Sequence, residues 1–476
     1  MARCFAGIKK KVGLFEMNKY FGDWKFYKKL LWLAVPIMVQ NAITNFVGFL
    51  DNIMVGQLGT EQMSGVAIVN QFVFVFNLCV FGGLSGAGIF GAQFFGCKDY
   101  RGVRDTFRFK VITGIVIAVL TFAVFIGFGR NLIQLFLTAS SAEDSAATFQ
   151  HGIVYLAVIL FEIIPFIVVQ IYASTLRETG ETVVPMAAGI AAVFVNLVLN
   201  YILIFGNFGA PKMGVAGAAV ATVISRVIEC AIVVCWTHLH TRKNLFIVGA
   251  YRSLKVPMPL TKKILVKGTP LMLNEILWAG GMAMINQCFS VRGLSVVAAL
   301  NITSTIANLF NIVFIAMGSC VAILVGQNLG ANEFEEARET AAKVITFSVL
   351  ATVGTSIILF LASGLFPRLY NTSQQIRIMA GEMIRINALV MPLQAFLHAT
   401  YFTIRSGGRT WITFLFDSAY TWCIAIPFAF CIVHFTSFQI IIIYSMYCSL
   451  DIIKATVGFI LLKRGIWVRN IVEETA

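Results

Sequence analysis

The sequence predicts an all-α integral membrane protein with twelve transmembrane helices in two pseudo-symmetric six-helix bundles. Three observations carry this reading. The 476 residues are 58% hydrophobic and 12% charged, with a mean hydropathy of +0.84, more apolar surface than a water-soluble fold can cover. The apolar residues gather into twelve runs of spanning length, since a helix of about 20 residues crosses the hydrocarbon layer and satisfies its own backbone polar groups. Finally, the second half of the chain repeats the first at a fixed offset.

A cationic arm, residues 1–29, comes first. The apolar run behind it is too long for a signal-peptide core and lacks a small-residue cleavage site, so it is expected to remain as the first span. Spans are expected near 30–55, 62–89, 107–129, 149–175, 184–205 and 214–237, giving an N-terminal lobe over 30–237. A basic linker occupies 238–263. Six further spans near 264–290, 296–325, 341–362, 379–404, 411–433 and 439–462 make a C-terminal lobe over 264–462, and 463–476 form a tail. Pro36, Pro165, Pro185, Pro270, Pro392 and Pro427 lie inside these runs, where each removes a helix hydrogen bond and permits bending. Pro36 and Pro270 are the expected hinges.

The net charge of +14 comes from 36 Lys and Arg residues that sit mostly between the runs. With the N-terminus inside, about 24 of them fall in inner segments and about 5 in outer loops, which places both termini in the cytoplasm. Attraction to anionic lipid of the inner leaflet accounts for the arm and linker, and no nucleic-acid partner is expected. The ten cysteines fall mostly within apolar runs and form no Cys-x-x-Cys pair, which argues against a disulfide framework or a zinc site.

At an offset of 234, Pro36 falls on Pro270, Met38 on Met272, Gly59 on Gly293, Ser85 on Ser319, Gln93 on Gln327, Gly96 on Gly330 and Arg104 on Arg338. About 13 of 71 positions match where composition alone gives about 5, so the halves are read as duplicates. A weaker echo at an offset of 228 places Arg177 on Arg405 and Gly180 on Gly408. Six spans per copy is an even number, so the copies share one orientation and substrate is expected between them.

An ionisable group at membrane depth costs at least ~2.5 kcal/mol, so each needs a partner or a function. Arg226 and Glu229 are three apart, as are Asp451 and Lys454, and each pair is expected to neutralise itself. Asp51, Glu162, Glu275 and Asp417 have no opposite charge at i±3 or i±4 and depend on another helix, a cavity or a proton. Burial favours the neutral form of a carboxyl, so such a group can load and release a proton as its access changes. For Asp417 a structural ion pair with Arg405 or Arg409 is an equal alternative. Asn196 and Asn200 share one helix face; they either join helices or, with Asp51 and Thr222, offer oxygens to a hard cation such as Na⁺ or a path to a proton.

The stretches LAVPIMVQNAITNFVGFLDNIMVGQLG, GAQFFGCKDYRGVR, TLRETGET, GVAGAAVATVISR, TPLMLNEILWAGG, GQNLGANEFEEAR and TIRSGGRT, in order over about 30–465, resemble the multidrug and toxic-compound extrusion (MATE) family. The resemblance implies a twelve-helix, V-shaped, two-lobe antiporter that exports organic substrates in exchange for H⁺ or Na⁺ by alternating access, without a cofactor. It matches Asp51 to the family's coupling carboxylate, with Asn196, Asn200 and Thr222 as polar partners and Glu275 at a position where many members are acidic. Asp417, Gln394 and Glu162 are secondary candidates for coupling or the substrate cavity. Some members have Asp where this chain has Asn200, and some have a tenth-span Asp near Gln394, a departure that weakens a sodium site in the C-terminal lobe.

The expected protein is therefore a multidrug exporter of amphipathic, cationic compounds. It is expected to be a monomer in the plasma membrane, the inner membrane in a bacterium. A lipid-linked oligosaccharide flippase of the same superfamily is the nearest rival, though its extra spans and basic cavity have no counterpart here. A membrane-embedded enzyme would need a nucleophile and base or a metal cluster, and the five histidines at 151, 238, 240, 398 and 434 are scattered.

Overall fold

The computed structural model describes residues 19–137, 142–370 and 372–473, without the side chains of 47–49, 52 and 142–144. The first eighteen residues of the arm, with Arg3 and Cys4, and the last three of the tail lie outside the described residues. Helices follow one another along the described residues, and each of the twelve expected runs falls on one. They are α1 (Trp24–Gly56), α2 (Thr60–Gly96), α3 (Tyr100–Leu137), α4 (Ala142–Ile159, continued as Ile163–Glu178), α5 (Val183–Phe205) and α6 (Val215–Leu239). The second set is α7 (Met258–Ser290), α8 (Leu294–Gly330), α9 (Phe334–Ala362), α10 (Gln374–Ser406), α11 (Thr410–Phe435) and α12 (Ile440–Lys463). Nine of these, among the described residues, are long and apolar enough to cross a membrane. The other three, α1, α7 and α10, carry charges at their ends and within, Asp51 and Glu275 among them.

Two helices depart from regular α geometry where the sequence gives reason. α4 tightens into a 3-10 turn over Leu160–Glu162, just before Pro165, whose missing N–H leaves the carbonyl of Phe161 without its helical donor. α11 widens into π turns over Leu415–Ala419 and Thr421–Ala425 before Pro427. Asp417 sits in the first of these. Pro36, Pro270 and Pro392 lie within continuous helices.

Large apolar side chains such as Phe161, Ile126 and Leu361 stand exposed on the helices, the surface expected where the surrounding solvent is hydrocarbon. The chain is a multi-pass membrane protein.

It gathers into two compact units. One comprises Met1–Met38, Ala92–Lys98 and Leu273–Ala476; the other comprises Val39–Gly91 and Asp99–Met272. The chain thus passes from unit to unit two residues beyond Pro36 and again two residues beyond Pro270. The start of α1 packs among residues of α8, α9 and α10, with Leu30, Ala34, Met317, Cys320, Val344 and Ala399 all buried. In the other unit the start of α7 meets α2, and a Cβ on Gly86 would lie only 2.5 Å from the Cα of Gly268. At the 234-residue offset, Gly86 falls on Cys320 and Gly268 on Ala34, so the two contacts are counterparts.

The unit containing Ala92–Lys98 also shows what the repeated Gln and Gly residues do. A side chain on Gly96 would overlap the backbone of Gln327, and one on Gly330 would overlap the backbone of Gln93, a reciprocal close approach that only glycine permits. Gln93 is fully buried; its Nε2 donates to the Ser406 carbonyl at 2.9 Å and its Oε1 accepts from the Ile471 N–H at 2.8 Å. The tail beyond α12 therefore runs back over these turns, with Trp467 buried and Asn470 donating to the Gly330 carbonyl at 3.1 Å.

Candidate functional site

In the unit that contains Asp51, α1, α4, α5 and α6 bring the polar side chains together. Asn196 and Asn200 stand one turn apart on α5, and Thr222, Arg226 and Glu229 recur at i, i+4 and i+7 on one face of α6. Asn200 Nδ2 donates to Asp51 Oδ1 at 2.5 Å. One end of the Asn196 amide lies 2.9 and 3.2 Å from the two Asp51 oxygens and 3.1 Å from Asn200 Nδ2; as a nitrogen it donates to the carboxylate, whereas an oxygen there would accept from Asn200 alone and face both Asp51 oxygens. Its other end faces Thr222 Oγ1 at 3.3 Å. All four residues that the sequence assigns to this cluster meet.

Beside them lies a charge network. Arg226 donates to Glu162 Oε1 at 3.0 Å and to Glu229 Oε2 at 2.8 Å, so the expected pair on α6 forms and the isolated Glu162 finds its partner on another helix. With Asp51 this makes three carboxylates to one guanidinium. Tyr155, two turns before Glu162 on α4, is buried, and its hydroxyl donates to Asn70 Oδ1 at 3.4 Å. The sequence reading passed over it, since one tyrosine in an apolar run carries no signal.

The cluster does not present an all-oxygen cage. Hard cations take oxygen ligands, whereas here two amide nitrogens face the Asp51 carboxylate. Asn200 Oδ1 is buried without a donor among the described residues, so an oxygen is available, but both amides would have to turn before the set could hold Na⁺. As folded, it solvates a carboxylate. No group of three or more His, Cys, Asp or Glu with metal-binding geometry occurs among the described residues, and the nine described cysteines are free thiols.

The other unit holds Glu275 and Asp417. Lys454 on α12 donates to Asp417 Oδ1 at 2.7 Å, and Asn274 Nδ2 donates to Asp417 Oδ2 at 3.1 Å. This corrects the expected pairing. Lys454 serves Asp417 on α11, not Asp451 three residues away on its own helix, and Asp451 instead accepts from Gln394 at 3.5 Å. Neither Arg405 nor Arg409 makes the ion pair to Asp417 that the sequence allowed. Asn274 also reaches Tyr401 Oη at 3.3 Å and accepts from Ser418 Oγ at 2.6 Å, so one amide joins α7, α10 and α11. Glu275 is half-buried and makes no hydrogen bond or ion pair among the described residues; Arg405 and Asp417 are its electrostatic neighbours.

The repeat relates the two clusters. At the 228-residue offset Arg226 falls on Lys454 and Gly189 on Asp417, while at the 234-residue offset Gln40 falls on Asn274. A Cβ on Gly189 would lie 3.3 Å from Gln40 Nε2 and 3.7 Å from Glu229 Oε1. Both halves therefore keep a cation and an amide at matching positions and place the carboxylates differently around them.

One further buried pair was missed in the sequence. Lys110 on α3 is fully buried, and its ammonium donates to both oxygens of Glu178 at 2.7 Å, to Thr175 Oγ1 at 3.0 Å and to Ser174 Oγ at 3.2 Å. Gly88 and Gly91 on α2 leave room for the Glu178 carboxylate. Lys110 inside an apolar run was the available signal.

Spanning helices, duplicated halves and charges buried among the helices define a polytopic membrane protein. The MatE family model matches residues 36–202 and again 270–431, and the chain belongs to this family. The two matches begin at Pro36 and Pro270, the pair that the repeat aligns. The chain is 25% identical over 451 residues to a probable multidrug resistance protein NorM of Thermotoga maritima, covering 94% of each chain. It is 25% identical over 424 residues to the probable multidrug resistance protein YoeA of Bacillus subtilis, covering 87% of this chain and 89% of that one. Among solved structures, an outward-facing multidrug resistance MATE family transporter of the MOP superfamily superposes with a TM-score of 0.82 at 19% identity, covering 95% of this chain and 98% of that one. A MATE structure in a bent conformation gives 0.83 at 19% identity, with 93% and 96% covered.

Proposed function

We propose that this protein is a secondary active multidrug exporter that releases amphipathic organic cations in exchange for protons by alternating access, with Asp51 as the coupling carboxylate. One observation carries the reading: Asp51 is a membrane-depth carboxylate held by the neutral amides of Asn196 and Asn200 rather than by a cation of its own. A carboxylate neutralised by lysine has little use for a proton. One solvated only by amides gains much from taking one when water access closes. The amide nitrogens also favour H⁺ over Na⁺, because the proton needs no oxygen cage.

The multidrug resistance names of the relatives support the substrate class. Passage of the chain between its compact units just beyond Pro36 and Pro270 supports those prolines as hinges. Glu275 is the second coupling candidate, and Asp417, Gln394 and Glu162 serve chiefly to position the helices. The charge distribution of the loops supports cytoplasmic termini, and the protein acts as a monomer in the plasma membrane, the inner membrane in a bacterium. Exchange of one proton for one monovalent cation moves no net charge, so the membrane potential cancels and one pH unit supplies about 1.4 kcal/mol, enough for about a tenfold gradient.

The test is efflux of a fluorescent organic cation from proteoliposomes under a pH gradient and, separately, a sodium gradient. Transport driven by pH alone and lost in Asp51→Asn supports the proposal. Transport driven by sodium alone, or undiminished in Asp51→Asn, overturns it.

A further inference from the structure

A groove of about 630 Å³ opens on the surface of the unit that contains Asp51, between α4 and α6. That volume lies within the ~300–1,000 Å³ of ordinary small-ligand sites. Val168 of α4 and Val227, Ala231 and Val234 of α6 wall it, and Pro165 closes its apolar end. The other end is polar. Tyr172 Oη meets His238 Nε2 at 3.0 Å and Tyr251 Oη at 2.6 Å, and all three residues line the groove. From Val227 to His238 the α6 wall rises about 16 Å at 1.5 Å per residue, close to half of a ~30 Å hydrocarbon core and so to one acyl chain of one leaflet.

The segment that joins the two polar lining residues, 239–250, has no acidic residue, and none occurs anywhere from 230 to 274. Arg242 and Lys243 within it and Arg252 just after it are exposed, and none has an ion-pair partner among the described residues. The segment is also held in place. Arg104 on α3 donates to the Phe246 carbonyl at 3.2 Å, and Arg108 donates to the carbonyls of Gly249 and Ala250 at 2.9 Å each. Phe246 and Ile247 are buried, and Phe107 packs edge-on against both Tyr172 and Tyr251. Two arginines are thus spent on backbone carbonyls, leaving three other cations exposed beside a hydrogen-bonding cluster at the mouth of an apolar slot.

We infer that this groove is a binding site for one anionic phospholipid, its acyl chain laid between α4 and α6 and its phosphate recognised by the Tyr172, His238 and Tyr251 cluster with Arg242, Lys243 and Arg252. The slot supplies the apolar length, the cluster supplies donors at the headgroup end, and the surplus of positive charge selects against zwitterionic lipid. The apolar end of the groove is one residue from Arg226 and three from Glu162, the ion pair that joins α6 to α4. A chain lying there braces the same two helices.

The experiment is native mass spectrometry of the full-length protein released from detergent with dioleoyl phosphatidylglycerol or dioleoyl phosphatidylcholine at equal concentration. The expected result is a one-to-one adduct with phosphatidylglycerol, retained about tenfold better than phosphatidylcholine and thereby discriminated by about 1.4 kcal/mol. Ala231→Trp, which fills the slot from an exposed helix face, is expected to lose the adduct. Arg242→Gln with Lys243→Gln is expected to keep an adduct but reduce the preference to below about threefold. Glycerol phosphate at the same concentration is expected not to displace the lipid. Equal retention of the two lipids by the wild-type protein, full retention by Ala231→Trp, or displacement by glycerol phosphate would each overturn the inference.

Discussion

Asp51 and Asp417 are the same side chain, each set in an apolar helix, and their surroundings are opposite. Asp51 is solvated by two amides, while Asp417 is clamped between Lys454 at 2.7 Å and Asn274 at 3.1 Å. The nearest guanidinium to Asp51, that of Arg226, is committed to Glu162 and Glu229. The difference teaches that a membrane-depth carboxylate is identified as a switch or a strut by its partner and not by its position. Without a cation the charged form pays for its own desolvation and a proton relieves it; with one, the pair is neutral already and loses by protonation.

The largest effect that could break this comparison is on transport. Asp51→Asn preserves the shape and most of the hydrogen bonds, so the protein should insert and melt normally while accumulation driven by one pH unit falls by about tenfold, the gain that one coupled proton provides. Retained accumulation in that variant would erase the distinction between the two carboxylates.

Asp417→Asn is expected to act on stability instead. It leaves the partly buried Lys454 without its counter-charge, at a cost of about 3 kcal/mol in detergent unfolding, and Lys454→Met added to it should recover most of the loss. A double variant as unstable as the single one would show that the pair is not what Asp417 contributes.

Glu275→Gln sharpens the contrast within one unit. Glu275 has no direct partner to strand, so melting should be unchanged, and driven efflux should fall about fivefold, about 1 kcal/mol, if it shares the proton cycle. Thr222→Val is the smallest change. Thr222 Oγ1 donates to the Ala218 carbonyl at 3.0 Å and touches only the far end of the Asn196 amide in the cluster, so the loss should stay below about 1 kcal/mol, read as less than about a fivefold drop in efflux rate.

Much of the first site was legible because its spacing is local. Asn196 and Asn200 share a face by periodicity alone, Arg226 can reach Glu229 on its own helix, and Asp51 stands out as a charge in an apolar run. The second site was legible only in part. Asp451 and Lys454 have the same three-residue spacing as Arg226 and Glu229, yet Lys454 turns to another helix. Spacing permits an intrahelical pair without requiring it, and a cross-helix carboxylate with better geometry wins. Glu178 lies 68 residues from Lys110, a separation at which no sequence pattern could pair them. Gln93 and Gln327 were found as a repeat, but the tail that bonds Gln93 arrives from 378 residues away.

The sequence by itself determined the solvent, the spans, the duplication and the list of charges that had to be accommodated, because hydropathy, helix period and the cost of an ion in hydrocarbon act on each segment separately. Tertiary structure alone decided which charge answers which: Glu162 to Arg226, Asp417 to Lys454, Lys110 to Glu178, and Asp51 to two amides. Those choices follow from which helix faces pack together, and Coulomb and hydrogen-bond energies inside a low-dielectric bundle depend on ångström distances that a linear sequence does not contain.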